Sequence, residues 1–138
     1  MFSMAEKIGK YKKLLAPYGF KLKKYSEPKS FDNYYIIFSS KDLNVRVWQD
    51  RGFETMSISS VHKPEEWFDI GLIKLHLTKA RKLDKVYSIE DLEKFLVTNF
   101  SNIKELFDKK RSETKDVIKE LGKKRFREMF KGHFADKG

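Results

Sequence analysis

The chain has 138 residues, of which 40% are hydrophobic and 36% charged, and it contains no cysteine. This length and composition suit one globular domain over residues 1–138 and exclude wholesale disorder. The lack of cysteine excludes disulfides, thiol nucleophiles and cysteine-based zinc sites. The N-terminal residues contain no apolar run typical of a signal peptide, and no stretch approaches the roughly 20 apolar residues of a membrane-spanning helix. We therefore expect a cytoplasmic protein without a membrane span.

The net charge of +10 is concentrated at the two ends of the chain. Residues 1–24 carry seven lysines and one glutamate, and residues 109–138 carry eleven basic and five acidic residues. Charge concentrated in this way attracts anionic partners through its summed field, whether these are nucleic acids, membrane surfaces or acidic proteins. The alternative is that the charge serves solubility alone.

The first half of the chain predicts one helix followed by strands. Ser3 and Glu6 have the spacing of a capping box, and the apolar spacing after them predicts a helix over residues 4–15. Pro17 and Gly19 end this helix. Alternating or continuous apolar residues then predict four strands, the second of them in the interior of the sheet and covered on both faces. The strands are expected near residues 20–23, 34–39, 43–48 and 55–59, with a loop over 26–33 and a hairpin loop at 50–52.

The second half of the chain predicts helices. Pro64 at a first helical position, with two acidic residues after it, predicts a helix over residues 64–79. Ser88 is the predicted N-cap of an amphipathic helix that runs to Phe107. A third helix is expected after a break near Ser112, and one long continuous helix is the alternative. The sequence thus predicts an α+β fold, with an N-terminal helix, an antiparallel β-meander of about four strands and three helices packed on the sheet.

The titratable residues form no pattern typical of a catalytic site. The three histidines, His62, His76 and His133, are scattered, although His76 lies seven residues after Asp69 on one helical face and could orient a metal or a base. The carboxylates within residues 65–69 are explained by the preference of acidic side chains for a first helical turn. The glycine spacing of nucleotide-binding loops is absent. We therefore expect a non-enzymatic protein that needs no cofactor or metal.

A first candidate partner-binding surface lies on the predicted sheet. If the strands pair as predicted, its basic and aromatic residues share the face opposite the core. Cations beside aromatic rings are typical of single-stranded nucleic-acid binding. The alternative is that a helix covers these rings. The residues are Lys21, Lys23, Tyr25, Arg46 and Trp48.

A second candidate surface follows the predicted last helix, where cations recur at four-residue intervals. We call it the basic ridge. Acidic residues within helical pairing distance make a solvated structural face the alternative. The ridge consists of Lys115, Lys119, Lys123, Arg127 and Lys131.

The middle of the chain, roughly residues 32–107, resembles small uncharacterised bacterial proteins, some of them like immunity proteins of toxin systems. The resemblance is carried by Asp50-Arg51-Gly52 between two strands, then Glu66-Trp67-Phe68-Asp69-Ile70, then Asp91-Leu92-Glu93-Lys94-Phe95-Leu96. It implies a stoichiometric binding protein that blocks a partner, and it implies no catalytic residues. An inhibitor of a nuclease toxin would be expected to be acidic, whereas this chain is basic.

These patterns together predict a non-enzymatic bacterial binding protein, immunity-like in the sense of the resemblance, that recognises an acidic protein partner. The alternative is a nucleic-acid-binding module that uses either the sheet face or the basic ridge. The two hypotheses differ in the salt dependence of binding to oligonucleotides, because phosphate contacts weaken steeply as salt rises.

Overall fold

The computed structural model describes residues 3–26, 33–83, 86–108 and 111–135, and for residues 111, 112 and 130–135 it describes the backbone alone. An N-terminal helix, α1 (Met4–Leu15), precedes five strands and further helices, which makes the fold α+β. The strands form one antiparallel sheet in chain order, a continuous meander. They are β1 (Lys21–Ser26), β2 (Tyr34–Ser39), β3 (Leu43–Asp50), β4 (Phe53–Ser60) and β5 (Lys63–Asp69).

Local signals begin and end α1 where the sequence predicts. The Ser3 side-chain oxygen accepts a hydrogen bond from the backbone N–H of Glu6 at 3.2 Å, which caps the helix. A single 3-10 turn, Ala16–Tyr18, follows the last helical residue. Gly19 then adopts a left-handed conformation, with φ of 84°, and leads into β1.

A two-residue loop, Arg51-Gly52, joins β3 to β4 within the predicted hairpin connection. Both residues have positive φ, 51° and 82°, as a type I′ turn requires. The side chain of Asn33 supports the turn, because its Oδ1 accepts a hydrogen bond from the Arg51 N–H at 2.7 Å. The turn fixes a register in which Val47 pairs with Met56 and both side chains enter the core.

The predicted helix over residues 64–79 is wrong in its first third, which forms β5. The helix itself, α2 (Ile70–Leu77), begins after that strand. Pro64 is tolerated in β5 because an edge strand leaves its outer N–H positions unpaired. Asp69 is the N-cap of α2, and its Oδ1 accepts a hydrogen bond from the Gly71 N–H at 2.6 Å. The sheet therefore has five strands rather than about four.

Three helical segments follow the sheet. The second segment follows Ser88 and was predicted to be one helix, but it is divided into two helices at Asn99. The side-chain Nδ2 of Asn99 donates to the Phe95 carbonyl oxygen at 3.2 Å. Ser88 caps this segment as predicted, since its Oγ accepts a hydrogen bond from the Asp91 N–H. Four described helices therefore follow the sheet. After α2 they are α3 (Ile89–Thr98), α4 (Phe100–Asp108) and α5 (Arg111–Ala135).

The predicted break before α5 is confirmed. The Thr114 hydroxyl donates to the Leu106 carbonyl oxygen at 2.9 Å. A continuous helix would hold residues eight positions apart about 12 Å from each other, so the chain must change direction between them. The two residues that join α4 and α5, 109 and 110, lie outside the described residues. No helix of the described ranges is long and apolar enough to cross a membrane.

Every described helix packs on the same face of the sheet. Fully buried apolar side chains alternate along the three central strands on this face, and each such side chain contributes about 1.5–3 kcal/mol relative to exposure. Each helix adds at least one buried residue to the same core. The sheet residues are Ile36, Phe38, Val45, Val47, Met56 and Ile58, and the helical ones include Leu15, Ile73, Leu96, Ile103 and Ile118.

We predict that Gly52→Ala destabilises the fold by about 1–2 kcal/mol, because a residue with a Cβ is strained at positive φ. A Cβ at Gly52 would meet no atom within 4 Å, so the loss reports backbone conformation alone. Gly9→Ala in α1 is the matched control: it also has open space, and it should stabilise the protein by about 0.5–1 kcal/mol. Urea unfolding measures both variants, and a neutral Gly52→Ala would contradict the assigned turn.

Candidate functional site

The sheet has a second face that contributes no side chain to the core, and we call it the open face. Antiparallel partners carry their side chains on the same side of a sheet. Lys24 pairs with Ile37 and Ile37 with Arg46, which gives one row across three strands, and Tyr35 pairs with Trp48 in the next row. The open face consists of Lys21, Lys24, Tyr35, Ile37, Ser39, Asn44, Arg46, Trp48, Asp50, Thr55, Ser57, Ser59 and Trp67.

Small polar side chains occupy one end of the open face and the row next to it. The Ser39 hydroxyl donates to the side-chain oxygen of Asn44, and Asn44 Nδ2 donates to Ser59 Oγ at 3.2 Å. Ser57 lies in the neighbouring row, opposite Arg46, and its Oγ accepts a hydrogen bond from Trp48 Nε1 at 3.1 Å. These bonds satisfy polar groups that are buried although no described helix lies over them. The bond to Ser57 also fixes the orientation of the Trp48 ring.

Arg46 lies on the open face beside two tryptophans. Its guanidinium carbon lies 5.1 Å from the ring centroid of Trp48 and 4.5 Å from that of Trp67, within cation–π range. It forms no ion pair with a carboxylate in the described part of the chain, and its buried Nε has no hydrogen-bond partner there. Burial lowers the pKa of Arg46, but a guanidinium stays charged at neutral pH. The open face therefore presents a cation beside two aromatic rings, with no carboxylate partner among the described residues.

A shallow groove of about 280 Å³ lies beside Arg46 and shares it as a wall. The rings of Tyr35 and Trp48 also line this groove. Lys24 Nζ lies 5.8 Å from the Tyr35 ring centroid, and Asp50 lines the groove four residues along β3 from Arg46. The groove thus combines aromatic surface with a cation on one side and an exposed carboxylate further along.

Three of the five predicted sheet residues lie on the open face, and two do not. The prediction assumed strict alternation along β1, but a β-bulge between Leu22 and Lys24 shifts the register. Lys23 lies in the bulge without a register partner, and Lys24 takes its expected place. Tyr25 pairs with Ile36, whose side chain is in the core, so Tyr25 belongs to the helix side. The three correctly placed residues are Lys21, Arg46 and Trp48.

Trp67 is the functional candidate that the sequence prediction missed. It was assigned to a helix, whereas β5 places it next to Arg46. The sequence signal that could have found it is the adjacent pair Trp67-Phe68. In a strand, adjacent side chains point to opposite faces, and Phe68 faces the core opposite Ile58, so Trp67 lies on the open face.

The basic ridge on α5 is partly paired and partly exposed. Lys115 Nζ lies 2.9 Å from Glu66 Oε1 of β5, and Arg127 Nη2 lies 3.8 Å from Glu120 Oε1. Lys119 and Lys123 are exposed and form no ion pair with any residue that the structure describes; the side chain of Lys131 lies outside the described residues.

The ridge begins near the edge of the sheet. A groove of about 440 Å³ separates α5 from β5, and both Lys119 and Trp67 line it. Phe68, Leu72 and Ile118 supply apolar surface to the same groove. The basic ridge and the open face therefore meet at this groove, with Lys119 on the helix side and Trp67 on the strand.

A group of titratable side chains, the polar cluster, lies on the helix side of the sheet between α1, β2, β4 and α3. Lys7 Nζ donates to the Tyr34 hydroxyl at 3.2 Å and to Glu54 Oε2 at 3.1 Å, and the Tyr34 hydroxyl also donates to Glu54. The Tyr11 hydroxyl donates to Glu93 Oε1 at 2.8 Å. The sequence prediction missed this cluster, because its members come from four separate elements.

Every carboxylate of the polar cluster has both a tyrosine and a lysine partner, since Lys10 Nζ lies 2.9 Å from Glu93 Oε1. Burial, together with the bonded carboxylates, raises the pKa of Tyr11 and Tyr34 far above the usual value. Burial alone would raise the pKa of Glu54, but hydrogen bonds from Tyr34 and Lys7 hold it below its usual value. The arrangement ties α1 to the sheet and to α3.

The histidines do not assemble a site with the carboxylates near them. His62 is exposed in the turn before β5, and the side chain of His133 lies outside the described residues. His76 lines a groove with Lys124, whereas Asp69 caps α2 and lies 3.9 Å from Arg125 Nη1. Within the described ranges, no three histidine, aspartate or glutamate side chains are placed to hold a metal ion.

No protein-family model, curated protein or solved structure matches this chain. A functional assignment therefore depends on the geometry of the open face, the basic ridge and the polar cluster.

We predict that the polar cluster makes the free energy of unfolding depend on pH at both extremes. Because the pKa of Glu54 is depressed on folding, its contribution is present above the unfolded value near 4.5 and is lost as pH falls through the folded pKa. Because the pKa of Tyr11 and Tyr34 is raised, their contribution is complete below their unfolded value of 10 and is lost as pH rises above it.

Glu54→Gln tests the acid side of this dependence. The variant should be about 1–3 kcal/mol less stable than the wild type at pH 7, and this difference should shrink below pH 4.5. Glu65→Gln, at an exposed position, should change little at any pH. Urea unfolding across the pH range measures both, and a wild-type to Glu54→Gln difference that stays constant down to low pH would show that the Glu54 interactions are not electrostatic.

Proposed function

We propose that this protein is a non-enzymatic binding protein that recognises an acidic protein partner through the open face of its sheet. The observation that carries the proposal is Arg46, a cation stacked beside two tryptophans with no carboxylate partner in the described residues. Lys21 and Lys24 add positive charge to the same face. A partner that presents carboxylates there would supply a counter-charge that the described residues do not provide.

The residue types of the open face support a protein interface. Tryptophan, tyrosine and arginine are the side chains that most often carry binding energy between proteins. Trp48 is held in place by its bond to Ser57, so little conformational entropy is lost when a partner binds. Neither tryptophan belongs to the hydrophobic core, and each is only partly buried, so part of each ring can contact a partner.

The polar cluster fits a structural role within this proposal. An acid–base catalyst needs a titratable group whose proton can reach a substrate. Each carboxylate of the cluster is instead bonded to a tyrosine and a lysine that belong to the same cluster. A binding protein requires no further chemistry from these residues.

The resemblance of residues 32–107 to immunity-like bacterial proteins supports an inhibitory form of this function. In that form the protein binds an acidic toxin stoichiometrically in the cytoplasm. The positive charge of the chain agrees with an acidic target, and association would be accelerated by electrostatic attraction.

Nucleic-acid binding is the second candidate, and one observation favours it. The groove beside Arg46 places the rings of Tyr35 and Trp48 next to Lys24, and single-stranded nucleic acids bind to such combinations by base stacking and phosphate attraction.

Intrinsic fluorescence separates the two candidates, because both tryptophans of the chain lie on the open face. We expect poly-L-glutamate to change the emission at low salt, with tighter binding than oligothymidylate and with weakening as salt rises. Tighter binding of oligothymidylate would favour the nucleic-acid function. No change with either polymer would contradict both candidates.

Charge reversal locates the surface. The double variant Lys21→Glu with Lys24→Glu should weaken poly-L-glutamate binding by at least about tenfold, because both lysines lie on the open face. The matched control reverses two exposed lysines of the basic ridge, Lys119→Glu with Lys123→Glu, and changes the net charge equally. A larger effect of the ridge variant would assign binding to α5 instead.

A further inference from the structure

We infer that Arg46 anchors a single carboxylate of the partner, and that the adjoining groove receives the large apolar side chain next to that carboxylate. The recognised feature is then one aspartate or glutamate beside an aromatic or aliphatic residue. This inference rests on the proposed function, and it names the residue that determines specificity.

The two tryptophan rings beside Arg46 decide which part of its guanidinium can bond to a partner. Trp48 lies two residues further along the same strand, and Trp67 approaches from the edge strand β5. Rings that stack on a guanidinium leave its N–H edge free to donate. That edge matches the two oxygens of a carboxylate, which can accept two parallel hydrogen bonds.

The surroundings of Arg46 strengthen an ion pair formed there. Its Nε is buried and lacks a hydrogen-bond partner in the described part of the chain. A partly desolvated cation interacts more strongly with an incoming carboxylate than a fully hydrated lysine does. Arg46 therefore differs from the exposed lysines of the basic ridge, which provide general attraction without a defined geometry.

The groove restricts what can lie beside the carboxylate. It is walled by Arg46, Trp48 and Tyr35, and Asp50 lines it further along β3. Four residues of strand place Asp50 about 13 Å from Arg46 along the backbone. A second carboxylate that reached the far end of the groove would be repelled by Asp50. An apolar side chain packed on Trp48 and Tyr35 meets no such repulsion, which favours an apolar residue beside the anchored carboxylate.

Selection from a random peptide phage library tests the inference, because the library presents acidic, basic and apolar sequences to the protein alike. The full chain is immobilised and panned, and the enriched peptides should share one acidic residue next to a large apolar one. A synthetic peptide of the enriched sequence should bind Arg46→Lys at least about tenfold more weakly than wild type, because lysine keeps the charge but lacks the paired donors. Replacing the acidic residue of the peptide by its amide should weaken binding to the wild type by the same factor. The amide peptide should bind Arg46→Lys about as weakly as it binds the wild type, because both changes remove the same interaction.

Asp50→Asn, at an exposed position, is the second variant. It should broaden the selection to peptides with two acidic residues, because the repulsion in the groove is removed. Enriched peptides without an acidic residue, no enrichment above background, or equal peptide binding by Arg46→Lys would overturn the anchor. If poly-L-glutamate still binds the open face in that case, the proposed function stands and only the Arg46 anchor fails; if it does not, both fail.

Discussion

The rest of the structure depends on the packing of every described helix against one face of a five-stranded sheet. A sheet face without a covering layer must satisfy its polar groups and shield its apolar atoms with its own side chains. At one end of the open face, hydrogen bonds from Ser39 through Asn44 to Ser59 satisfy the polar side chains. Next to these side chains, the guanidinium of Arg46 lies over the two tryptophan rings and shields their apolar atoms. The same packing that forms the core therefore leaves a basic and aromatic surface.

The charged residues divide into two groups with different roles. On the helix side, Lys7 and Lys10 are bonded to carboxylates of the polar cluster, so these cations stabilise the fold. On the open face, Arg46 has no such carboxylate in the described part of the chain. A net charge of +10 does not by itself locate a binding surface, because paired and unpaired cations contribute to it equally. The distribution of ion-pair partners among the described residues is the observation on which the proposed binding surface rests.

Features encoded locally could be predicted from the sequence, and those fixed by distant contacts could not. The caps at Ser3 and Ser88 depend on residues three positions away, and both are confirmed. Pro64 with two acids has the local pattern of a helix start, but pairing with β4 makes it a strand, and Trp67 was misplaced with it. The bulge at Lys23 likewise depends on the register with β2. Strict alternation was enough for Arg46 and Trp48, because β3 has no irregularity in its pairing.

Backbone amide chemical shifts test most directly whether the open face is the binding surface. The measurement is a two-dimensional ¹⁵N–¹H titration of the full chain with the enriched acidic peptide, or with short glutamate oligomers. If the open face binds the partner, the largest shifts occur along β2 and β3, at Tyr35, Ile37, Arg46 and Trp48, together with the indole N–H signals of both tryptophans. Shifts confined to α5, with β3 and the indoles unchanged, would contradict it.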